Sequence, residues 1–167
     1  MLGCDKEQIQ EVVDKGVDQT TQVVEQTVET VRQETNLAGS MDLTTNPPLA
    51  AKACYAELID TGEGRPNVLR LASYKSSELE RYPSILIEAH VDESSLQALV
   101  GKTLNATVYA QNDEDGIVHA TASGAPANFS IISVDETSLT CECSAQLISS
   151  ETGEESTVTG KFVAPLE

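Results

Sequence analysis

The sequence predicts a mainly β fold, an antiparallel β-sandwich carrying a long N-terminal amphipathic α-helix. Three observations carry this expectation. From residue 49 onward, apolar and polar residues alternate over short stretches separated by turn-forming clusters. All six aromatic residues, Tyr55, Tyr74, Tyr82, Tyr109, Phe129 and Phe162, lie in that part of the chain. Before residue 36 there is no proline and no aromatic residue, and valines recur mostly at spacings of three, four or seven. The expected organisation is a helical arm over residues 1–35, a linker over 36–48 and a β body over 49–167.

The arm is expected to be helical from about Asp5 to Glu34. Its stripe comprises Ile9, Val12, Val13, Val17, Val23, Val24, Val28 and Val31, while Asp5 and Glu7 stand at the end where a helix dipole is positive. Val12–Gln22 and Val23–Gln33 align as two units of eleven residues, a period that keeps one apolar stripe straight or slightly right-handed. Valine and threonine are only moderate helix formers, and Gly16 costs about 1 kcal/mol relative to alanine. Such a helix needs something to pack against, another copy of itself, the chain's own body or a protein partner, through Val13, Val17, Val24, Val28 and Val31. The eleven-residue units resemble those of synuclein-like lipid-binding helices, which rely on lysines beside the apolar face. Here Lys6, Lys15 and Arg32 stand against eight acidic residues, so direct binding to a lipid surface is not expected of the arm.

The linker, Leu37-Ala-Gly-Ser-Met-Asp-Leu-Thr-Thr-Asn-Pro-Pro48, is expected to be extended because of its paired prolines. In the body, strands are expected around Cys54, Ala56 and Leu58; Ile85, Ile87, Ala89 and Val91; Leu104, Ala106, Val108 and Ala110; and Leu139, Cys141, Cys143, Ala145 and Leu147. Turns are expected at 60–66, 112–116, 123–126, 135–137 and 151–155, where Gly, Pro, Asn and Asp gather. Ser94–Gly101 has a serine cap, leucines three apart and a glycine stop, so a short helix is expected there. Seven or eight short strands suit a sandwich; a small barrel resembling the oligonucleotide-binding fold is the alternative, because such barrels also place a helix between strands.

Charge narrows the function. With 27 acidic against 10 basic residues the formal charge is −17, a surface that repels phosphate backbones, so no nucleic-acid partner is expected. No stretch is long and apolar enough to span a bilayer. There is no Gly-x-Ser-x-Gly elbow and no glycine-rich phosphate loop, and His90 and His119 have no local partners, so neither catalysis nor a cofactor is expected. Asp113 and Asp115, in Asn112–Gly116, are candidate Ca²⁺ ligands, although the later glutamate of a complete calcium loop is missing. Cys54, Cys141 and Cys143 occupy apolar positions, and a disulfide from Cys54 to one of the other two would suit an exported protein; three reduced core thiols are the alternative. A zinc site is not expected, since Cys-x-Cys lacks the usual ligand spacing. Asn105-Ala-Thr107 and Asn128-Phe-Ser130 satisfy the glycosylation sequon.

Two short segments resemble parts of known families. Leu2-Gly3-Cys4 resembles the end of a bacterial lipobox, whose cysteine carries the lipid of a mature lipoprotein. The resemblance implies lipidation at Cys4, an apolar run upstream, and residence in the bacterial cell envelope, anchored on the periplasmic or extracellular side. Val158–Leu166, with Gly160-Lys-Phe-Val-Ala164, is similar to the closing strand of small secreted β-sandwich domains among bacterial lipoproteins. Together these imply a non-catalytic, membrane-tethered module for envelope structure or protein interaction. The alternative is a β domain that binds a small ligand or Ca²⁺, with the arm as lid or oligomerisation element.

Overall fold

The computed structural model describes residues 39–76 and 80–166. The expected helical arm, with Cys4 and the valine stripe, lies outside the described residues. Chain contacts divide the molecule between Leu37 and Ala38, so the β body begins about ten residues earlier than its composition suggests.

The described residues form ten strands: β1 (Ser40–Leu43), β2 (Leu49–Ala51), β3 (Tyr55–Ile59), β4 (Asn67–Ala72), β5 (Ser84–Val91), β6 (Thr103–Gln111), β7 (Val118–Thr121), β8 (Ala127–Val134), β9 (Ser138–Ser149) and β10 (Glu155–Pro165). All paired strands run antiparallel in one sheet of order β2-β1-β10-β9-β7-β6-β5-β4-β3, with β8 also joining β6 to β9. β7 and β8 run in the same direction, end to end, in the gap between β6 and β9. β7 takes Tyr109–Gln111 and β8 takes Thr103–Ala106 of the same β6 edge, with Ala122–Pro126 as the interruption.

The sandwich expectation is thereby corrected to the barrel alternative. A sandwich needs two sheets, whereas here hydrogen bonding never breaks, and the sheet curls until β3 touches β10. The result is a small closed barrel with β1 and β2 as outer strands. Alternation cannot separate the two architectures, since each buries one face of every strand.

Two other expectations change. Ser40–Leu43, placed in the linker by composition, is a strand, because β10 offers it a partner: Met41 opposes Phe162 and Leu43 opposes Gly160. Gly39 admits the chain to this strand. Its φ of +70° favours glycine, and a side chain there would collide with the Val163 carbonyl. The helix expected at Ser94–Gly101 shrinks to a 3-10 turn at Gln97–Leu99, just long enough to seat Leu99 in the core.

The core forms as the alternation predicts. Ile85, Ile87, Ala89 and Val91 of β5, Ala106, Val108 and Ala110 of β6, and Leu139, Cys141, Cys143, Ala145 and Leu147 of β9 are all buried. Phe129 and Phe162 are fully buried with ring centroids 6.2 Å apart, a tilted aromatic pair at the centre of the apolar cluster. Burying each such ring stabilises the fold by roughly 1.5–3 kcal/mol. Turn chemistry fixes the β8–β9 hairpin: Asp135 accepts hydrogen bonds from the backbone N–H and hydroxyl of both Thr137 and Ser138. Those donors hold its carboxyl below the usual carboxylate range.

Candidate functional site

The outward residues of the β1, β2, β8, β9 and β10 region form a concave surface. Register places Thr103, Ser130, Glu142, Lys161, Asp42 and Ala50 in one row across six strands. A second row, Asn128, Ser144 and Thr159, lies beside it. These residues, with Thr44, Thr45, Pro48, Leu49 and Ile132, line a groove of about 790 Å³.

Local chemistry gives the groove its walls. The β1 end is pinned to β10, with Thr44 N–H donating to the Thr159 carbonyl at 2.9 Å and Thr159 N–H donating to Thr44 Oγ1 at 2.8 Å. Thr45 Oγ1 donates to the Pro47 carbonyl at 2.7 Å, which ties the Thr44–Pro48 corner over one side of the groove. On the other side, pairing slips between Ile131 and Ser133, so Ile132 is the extra residue of a β-bulge. The bulge aims its side chain outward, where it is 51% exposed at the rim.

The floor is mostly neutral. Thr103 and Ser130 hydroxyls meet at 3.1 Å, and Thr44 and Thr159 hydroxyls at 3.2 Å. Charge is confined to the Asp42, Lys161 and Glu142 row, where the Lys161–Glu142 ion pair at 3.6 Å is exposed and contributes little. Hydroxyls and amides between Pro48, Leu49 and Ile132 suit a ligand that presents peptide groups along its length and apolar side chains at its edges.

Of the residues singled out by sequence, Cys143, Asn128 and Ser130 border the groove and the others fall elsewhere. Cys54, Cys141 and Cys143 are free thiols in the core. Burial pushes Cys54 up to about 12. Burial also pushes Cys143 up to about 11, opposed by its hydrogen bond with the Gly160 backbone. Cys141 is raised by burial first and by Cys54 second. Asp113 and Asp115 sit on the exposed β6–β7 turn, where Asp113 accepts from Asn112, and among the described residues no three acidic, histidine or cysteine side chains converge as metal ligands. His90 is exposed opposite Val68, and His119 opposes buried Ala110, so the two histidines face opposite sides of the sheet. Sequon residues Asn105 and Asn128 are cross-strand neighbours on the outer face, and only Asn128 and Ser130 enter the groove.

Sequence reasoning missed the groove itself. One signal was available: the outward positions of β8, β9 and β10 carry Asn128, Ser130, Ser144, Thr157 and Thr159 where solvated strands often carry Lys or Glu. Comparison of the chain with protein-family models, curated proteins and solved structures finds no match. Among the described residues, no helix is long and apolar enough to cross a membrane.

Proposed function

We propose that this chain is a non-catalytic, exported lipoprotein, tethered by lipid on Cys4, whose β body is a protein-interaction module of the bacterial cell envelope. The groove carries this reading: it is preformed, open, walled by two pinned elements, and lined by groups that hydrogen-bond a peptide without demanding charge. Its occupant is an extended segment of a partner protein. The lipobox-like Leu2-Gly3-Cys4 supports the tether, and the stripe of Val13, Val17, Val24, Val28 and Val31 supplies the arm with a surface for self-association or for the same partner. The barrel interior is filled by Phe129, Phe162, Leu139 and Leu147, which turns the binding function outward.

A photoreactive residue introduced at Ile132 tests the groove, with one at Glu63 on the distant β3–β4 turn as comparison. Illumination of cells expressing the full chain is expected to yield a discrete protein adduct from Ile132 that Ser144→Arg, which fills the floor, abolishes. Adducts that are the same from Ile132 and Glu63, or that survive Ser144→Arg, would contradict the reading.

A further inference from the structure

The two phenylalanines lie in the core, while Tyr55 and Tyr109 lie in one row on the outer face of the sheet and Tyr82 immediately precedes β5. Register sets Tyr55, Ala72, Leu86, Tyr109, Ala120 and Ile148 in one row across β3, β4, β5, β6, β7 and β9. This apolar band lies on a different part of the outer face from the polar groove rows. Tyr109 is 44% exposed and Tyr82 38% exposed, well beyond what an aromatic ring in a filled interior shows.

Carboxylates surround the exposed end of the band. Ser84 opposes Gln111, so Tyr82 and Asp113 leave β5 and β6 side by side. Ser84 Oγ donates to Glu80 Oε1 at 2.6 Å, which fixes a second carboxylate there. Gln111 Nε2 donates to the Glu114 and Gly116 carbonyls, each at 3.0 Å, which holds the acidic turn against the end of β6. Partial burial raises the Tyr82 hydroxyl first, and the charges of Glu80, Glu114, Asp113 and Asp115 raise it further. Arg81 is the only cation among residues 80–83 and 112–117. At the far end of the row, Ile148 opposes Glu155. Tyrosines at the β3–β4 end of the row already hold cations: the Arg70 guanidinium lies 5.8 Å from the ring centroid of Tyr74, just after β4, and Lys75 Nζ lies 5.3 Å from that of Tyr55.

We infer that the Tyr82–Tyr109 face, rimmed by Glu80, Asp113, Glu114 and Asp115, is a second docking surface, and that its occupant is a cationic protein segment carrying arginine or lysine between apolar residues. The occupant's apolar side chains cover Leu86, Ala120 and Ile148, while its cations lie over the two rings and toward the carboxylates. Buried tyrosine and arginine are the residue types that dominate interface energies, and the complementary charge speeds encounter. This surface is independent of the groove, so it stands whether or not the groove is occupied.

The test uses the full chain and a short fluorescein-labelled peptide of alternating arginine and leucine, followed by fluorescence anisotropy at physiological salt. Tyr82→Ser/Tyr109→Thr, which leaves the net charge unchanged, is expected to weaken binding about tenfold or more. Glu114→Gln/Asp115→Asn, on an exposed turn, is expected to weaken it by a similar factor, whereas Asp60→Asn/Glu63→Gln, equal in charge but on another turn, leaves it within about twofold. Thermal melts of each variant establish folding; should the tyrosine variant unfold, the two acidic variants alone decide. Equal binding by the folded tyrosine variant and the wild type, or equal losses from the two acidic variants, would mean that net charge alone attracts the peptide and would overturn the inference.

Discussion

Phe162→Ala is expected to lower the unfolding free energy by about 3–5 kcal/mol, read from urea denaturation, because the ring is fully buried against Phe129. Gly160→Val is expected to destabilise the barrel as well, for the opposite reason. Both residues face inward on β10, and the Phe162 ring lies back over Gly160, so that a side chain at Gly160 would collide with the ring tip. The same added carbon would stand 2.7 Å from Leu43 Cδ2 and 3.1 Å from the Asp42 carbonyl oxygen. The ring cannot withdraw without disturbing Phe129, and overpacking of this kind costs about 1–3 kcal/mol or more. The pair is therefore coupled. Gly160→Ala combined with Phe162→Leu, whose shorter side chain vacates the collision, should be less destabilising than the sum of the single changes by about 1–2 kcal/mol. Strict additivity would show that the ring does not occupy the space over Gly160.

Stability is expected to fall steeply above pH 9, and the three core thiols supply much of the slope. Cys54, Cys141 and Cys143 have an ordinary value of 9.0 and are all raised in the folded barrel, chiefly by burial. In the unfolded chain the thiols ionise near 9 while the folded ones keep their protons. The native state then binds more protons, so the contribution is intact below about 9 and is lost as pH rises toward 11 and 12. Each thiol contributes roughly 1.4 kcal/mol per pH unit in that window, and three together about 4 kcal/mol per unit until Cys143 ionises in the fold. Urea midpoints measured in reductant from pH 8 to 11 should drop sharply in the wild type and markedly less in the triple variant Cys54→Ala/Cys141→Ala/Cys143→Ala, whatever its stability at pH 8. Parallel pH profiles for the two proteins would contradict the account.

Much of the barrel was legible because three of its strands are simple. β5, β6 and β9 bury every second residue, and the turns at 60–66, 112–116, 123–126 and 135–137 carry their expected Gly, Asn, Asp and Pro. The rest was hidden for identifiable reasons. β1 has only four residues and owes its form to pairing with β10, a tertiary effect that outweighs the linker-like composition around it. The bulge at Ile132 breaks the alternation of β8, and the Ala122–Pro126 interruption splits what would otherwise be one strand into β7 and β8. Sheet closure depends on which strands neighbour one another, and periodicity is silent on that.

The candidate surfaces were less legible than the fold, because neither is a motif. Thr103, Asn128, Ser130, Ser144 and Thr159 come from four strands and meet only through register. Tyr82 and the acidic turn after β6 are likewise brought to one end of the sheet by the pairing of Ser84 with Gln111. The residues that did stand out in sequence, the histidines and cysteines, are distributed by the sheet to opposite faces and to the core.

The tether is tested most directly by fractionating cells that express the chain from its native locus, as wild type and as Cys4→Ser, with intact mass measured for each. The wild type is expected in the membrane fraction with added acyl mass, and Cys4→Ser in the soluble fraction without it, because the acidic arm gives little affinity for anionic lipid. Retention of Cys4→Ser on the membrane, or a soluble, unacylated wild type, would contradict the proposed lipoprotein.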